Sequence, residues 1–70
     1  MFLKTSNGYL INENTIKMIY IASADEENKF NRVTAVTERG EVSLYKDIEM
    51  QNCQIYLKIL ANKIAVNMDY

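Results

Sequence analysis

No histidine and no proline occur among the 70 residues, glycine occurs twice and cysteine once. Each shortage removes a class of explanation. One cysteine cannot form an internal disulfide, and without histidine a structural zinc site has no adequate ligand set. Proton transfer or nucleophilic attack would fall to a carboxylate, a lysine, a tyrosine or the single thiol. No triad, phosphate loop or glycine-rich cradle is spelled out. The sequence therefore predicts no enzyme, no catalytic residue, no cofactor and no metal. Long apolar runs are missing as well. The longest, Met18-Ile19-Tyr20-Ile21-Ala22, is far too short to span a bilayer, so no membrane contact is expected.

Charge of one sign is also lacking. Eight basic residues stand against nine acidic ones, for a net charge of −1. There is no basic block to follow a phosphate backbone. The acidic cluster Asp25-Glu26-Glu27 lacks the alternate-residue spacing and closing glutamate of a calcium loop, and it reads as a solvated turn.

What is present must fit into one small domain, residues 1–70, with room for a single core. Chains this short usually add a disulfide, a metal or a partner subunit. With the first two excluded, oligomerisation is the expected remedy. Cys53 falls on an apolar helix stripe and reads as a buried, inert thiol. A lone thiol and no recognisable signal peptide fit a reducing cytoplasm. Eight Asn, eight Ile and six Lys suggest an A+T-rich coding sequence, such as that of a phage or other mobile element.

Alternation and turn residues predict an antiparallel β-meander over 1–46. Phe2 to Thr5 and Tyr9 to Ile11 flank Asn7-Gly8, a pair suited to a two-residue type I′ hairpin. After the break at Asn12-Glu13-Asn14, Ile16 to Ser23, Phe30 to Glu38 and Glu41 to Lys46 read as strands. Arg39-Gly40 supplies the last tight turn. The pattern then changes. Asp47 is expected to cap a helix running from Ile48 to Val66, within 47–67, with no glycine or proline inside it. The fold class expected is α+β: four or five antiparallel strands with one C-terminal helix packed on the sheet.

The helix pattern carries two apolar stripes. Cys53, Tyr56, Leu57, Leu60 and Ile64 make a broad one suited to the core. Ile48, Ile55, Ile59 and Val66 make a second, expected to meet a partner. On the best strand, Ile16, Met18 and Tyr20 are expected on one face and Ile19 and Ile21 on the other. One helix covers one face, so Ile19 and Ile21 are candidate interface residues too. The function expected is a non-enzymatic interaction module, an adaptor or inhibitor that forms a homodimer or docks on a larger protein. The alternative is a nucleic-acid-binding regulator using Tyr9, Tyr20 and Phe30 with Lys17, Arg32 and Arg39. The acidic pI of 5.3 opposes that alternative.

Asn7-Gly8, the following Ile11-Asn12, Ile16 and Ile19 three apart, the Thr/Val strand and Gly40 together give a further lead. The run from Phe2 to Val42 resembles small bacterial flagellar-operon proteins of the FlbD type. The resemblance implies a short strand-rich chain ending in a helix. The acidic stretch from Asp25 to Asn28 and the longer helix depart from that pattern.

Overall fold

The computed structural model describes residues 2–64 and 67–69. Short runs of β-branched and aromatic residues form strands β1 (Phe2–Lys4), β2 (Leu10–Asn12), β3 (Ile16–Ala22), β4 (Asn31–Thr37) and β5 (Gly40–Asp47). A helix, α1 (Met50–Ala61), and a last strand, β6 (Asn67–Asp69), follow. β1 and β2 pair antiparallel as a separate two-stranded sheet. The other four lie in the order β5-β4-β3-β6, with β3, β4 and β5 an antiparallel meander. The α+β class and the helix packed on antiparallel strands are as the sequence indicates.

The Asn7-Gly8 hairpin differs from the expected type I′ turn. Thr5 C=O accepts from Gly8 N–H at 3.0 Å, and Thr5 N–H donates to Tyr9 C=O at 2.7 Å. The loop is therefore Ser6-Asn7-Gly8. Gly8 alone within it has positive φ, at 90°, the arrangement of a type I turn closed by a left-handed glycine. Thr5 decides the matter: its Oγ1 accepts from Tyr9 N–H at 3.0 Å, which favours the wider loop.

The break at Asn12–Asn14 is a 3-10 turn, Glu13–Thr15, held by the Asn12 side chain accepting from Asn14 N–H at 3.0 Å. The pairing of β3 with β4 then slips between Ile16 and Met18. The extra residue, Lys17, makes a bulge, and a one-residue step reverses which face later side chains take. Ile16 consequently joins Ile19 on the inner face. Met18 and Tyr20 stay outside. A second slip between Val33 and Thr34, opposite Leu44, lets both Leu44 and Tyr45 face inward. Ile16, Ile19, Val33, Ala35 and Leu44 from the sheet meet Cys53, Leu57 and Leu60 from α1, with Leu3 and Ile64 closing the ends.

Helix α1 lies over β4 and β5. Its buried residues Cys53, Leu57 and Leu60, with Ile64 beyond its end, keep the spacing of one helical face. The Tyr56 ring stacks on Tyr45 at 4.8 Å and 6°, a contact of about 0.5–1.5 kcal/mol beyond area burial. The helix is shorter than expected at both ends. Glu49, and not Asp47, is the N-cap residue, and it makes no side-chain cap bond. Asp47 acts from β5: its carboxylate accepts from Glu49 N–H at 2.8 Å, the Tyr45 hydroxyl at 2.7 Å and the Asn52 amide at 3.0 Å. At the other end, Lys63 and Ile64 N–H both donate to Leu60 C=O. The chain turns there, and Ile64 is buried. Val66 lies outside the described residues.

β6 runs parallel to β3, with Met18 opposite Asn67 and Tyr20 opposite Asp69. Since β3 and β5 are each antiparallel to β4, β5 and β6 point the same way. The segment β5-α1-β6 is thus a crossover unit spanning the two strands between. Parallel strands of one sheet need a crossover connection, usually helical.

Candidate functional site

The outward face of α1 carries the candidate site. Ile55 and Ile59 are each two residues from Leu57, about 200° around the axis, and since Leu57 is fully buried they must face away from the core. They remain 48 % and 51 % exposed. One turn apart, they lie side by side on the surface. Ile48 is 69 % exposed but sits in the turn before α1. That turn is set by buried Asn31. The Asn31 amide donates to Ile48 C=O at 2.9 Å, and its oxygen accepts from Ala24 N–H at 2.8 Å. Cys53 Sγ donates to Asn31 C=O at 3.5 Å.

Phe2 belongs to the same surface, although the helix pattern does not reveal it. Leu3 faces the core, so strand alternation turns Phe2 outward, 64 % exposed. A groove of about 350 Å³ runs between β1 and α1, lined by Phe2, Leu3, Tyr56, Ile59, Leu60 and Lys63. The signal was present in the alternation of Phe2-Leu3-Lys4; only tertiary packing brings it beside Ile59.

Ile19 and Ile21 do not form an outer sheet surface. Ile19 is 0 % exposed and Ile21 is partly buried against the same core. Both lie under the helix side of the sheet, because β3 presents its odd positions there. The outer face instead carries Met18 and Tyr20. The Tyr20 hydroxyl donates to Glu41 Oε1 at 2.7 Å, two strands away. The Tyr20 ring must therefore cross β4, which accounts for Thr34 being buried on the outer face. Ser43 Oγ, level with Thr34 in the ladder, is buried without a hydrogen-bond partner. The aromatics of the nucleic-acid alternative lie on three separate segments: Tyr9 just before β2, Tyr20 on β3, and Phe30 just before β4.

Charge is divided along α1. Asp47 and Glu49 lie at its N-terminal end, and Lys58 and Lys63 toward its C-terminal end. The Glu49 N–H, then the Tyr45 hydroxyl and the Asn52 amide, hold the Asp47 carboxyl below the usual carboxylate range. Burial pushes the Cys53 thiol up, with the Asp47 charge adding to it, so the thiolate form is disfavoured. Among the described residues no group of three or more His, Cys, Asp or Glu is placed to hold a metal. No described helix is long and apolar enough to cross a membrane.

A second cleft, of about 530 Å³, separates β2 and the adjoining 3-10 turn from the β4–β5 turn and the start of β5. Compared with known proteins, the chain matches no family model, no curated protein and no solved structure.

Proposed function

We propose that this chain is a protein-interaction module without catalytic activity, docking through the outer face of α1 on a second copy of itself. The observation that carries this reading is the pair Ile55 and Ile59, half exposed on the helix side opposite the core, with Phe2 extending the patch along the groove. Contiguous exposed apolar surface of this kind marks interaction sites. A second copy suits the charge pattern. In an antiparallel two-fold pair, Lys58 and Lys63 of each helix approach the partner's acidic N-terminal end, and the helix dipoles oppose. Ile55 then lies beside the partner's Ile59.

Full removal of an isoleucine from water is worth about 1.5–3 kcal/mol. These side chains are already half buried, and association costs at least about 4 kcal/mol. The pair is therefore expected to be weak, forming only in the high micromolar range.

Light scattering across that range tests the reading. Dimers are expected for the unmodified chain. Monomers with unchanged circular dichroism are expected for the double variant Ile55→Asp, Ile59→Asp. A chain that stays monomeric at high micromolar concentration rejects self-association. An unfolded double variant assigns the two residues to the core instead.

A further inference from the structure

The cleft between β2 and β5 offers a different kind of site, because its walls are strand edges. Ser6 N–H donates to Ser43 C=O at 2.8 Å, so one backbone hydrogen bond pins the two-stranded sheet to the edge of β5. Beyond it the two edges diverge around the 530 Å³ cleft. Backbone direction follows from the ladders. The Ser43 carbonyl points away from β4, and with a two-residue repeat so do the N–H and C=O of Glu41. On β2, the Thr5–Tyr9 bond fixes the phase: Ile11 bonds toward β1, leaving the N–H and C=O of Leu10 directed outward. Leu10 and Glu41 both border the cleft. Its floor is apolar, since Ile11 and Val42 are partly buried against the core.

We propose that this cleft accepts an extended segment of a partner polypeptide as an inserted strand, joining the two sheets through backbone hydrogen bonds. Leu10 on β2 and Glu41 on β5 each present an outward N–H and C=O across the cleft, and another extended backbone can pair with both. Apolar side chains at alternate positions of the guest meet Ile11 and Val42. This is the strand-addition mode of peptide recognition. It is independent of the α1 face.

The probe is a displayed library of heptapeptides with valine or isoleucine at alternate positions and random residues between. A selected peptide is expected to slow amide exchange at Leu10 and Glu41. N-methylation of its alternate amides is expected to weaken binding in either phase, because successive amides of an inserted strand face the two walls in turn. Proline is tolerated where a strand N–H faces outward at an edge. Glu41→Pro is therefore expected to weaken binding about tenfold relative to Glu41→Ala, which equally lacks the carboxylate held by Tyr20. The proposal is overturned if no heptapeptide binds, if N-methylation in either phase is without effect, or if the Leu10 and Glu41 amides exchange unchanged. It is also overturned if the edge pairs with a second copy, seen as a dimer that Glu41→Pro dissolves and Ile55→Asp does not. Should Glu41→Pro fail to fold, the exchange and N-methylation results on the unmodified protein decide.

Discussion

Single residues at the junction of β5 and α1 carry unusual weight. Asp47 binds the first free amide before the helix, a tyrosine hydroxyl and an asparagine amide at once. All three bonds favour its ionised form, so its folded-state acidity is greater than that of the unfolded chain. The stabilisation is fully present above the unfolded value, near pH 4. It is lost as pH falls through the lower folded value. The midpoint of thermal unfolding is expected to drop with acidification in that window. Asp47→Asn should flatten the drop, because amide and carboxamide do not titrate there. An identical pH profile in the variant rejects the assignment. Asn31 is the second such residue, holding three segments from within the core. Its place in a Thr/Val strand gives no sequence sign of that role; a buried asparagine becomes informative only once its three neighbours are in position.

At the scale of elements, alternation locates five strands within a residue or two, because β-branched side chains at period two bury well only on a pleated surface. It does not reveal where a ladder loses step. Lys17 and Leu44 look like any other strand positions, yet each is the extra residue of an irregular pairing, and the first decides that Ile16 shares a face with Ile19. The helix end is hidden for a related reason. Ile64 continues the apolar spacing of Cys53, Leu57 and Leu60, so helix and turn bury it equally well; pairing of β6 with β3 settles the choice. The exposed Ile55 and Ile59 were readable from spacing, whereas Ile19 was misplaced because both faces of β3 are apolar. The helix start leaves room for improvement. Glu49 has the extended backbone of an N-cap, φ −86° and ψ 117°, but no side-chain cap bond. Glutamate is too long to reach back to its own first turn, and aspartate is the right length. Glu49→Asp is expected to stabilise the chain by about 0.5–1 kcal/mol, raising the midpoint by about 2–8 °C. Calorimetry showing no rise, or a fall, contradicts this.

For the whole molecule, β6 occupies the edge that β3 would otherwise present. An uncovered strand edge invites pairing with other chains. Ending the chain after Ile64 is expected to lower the unfolding midpoint and to produce concentration-dependent association, followed by sedimentation velocity. The same thermal midpoint with no association would show that β6 contributes nothing. At the opposite side of the sheet, among the described residues, one backbone hydrogen bond, from Ser6 to Ser43, ties the β1–β2 hairpin to β5. The two edges are thus protected to different degrees.

The pairing of Met18 with Asn67 also sets an order of events in time. The β3-β4-β5 meander joins near neighbours and closes small loops, which are fast steps. The β3–β6 contact spans 49 positions and must wait until the intervening strands and helix are in place. Loop-closure entropy puts this contact last. The expected folding record is therefore a rapid gain of antiparallel structure with a slower final locking of the parallel edge. During that interval β3 is open, and refolding at high protein concentration should lose yield at that step.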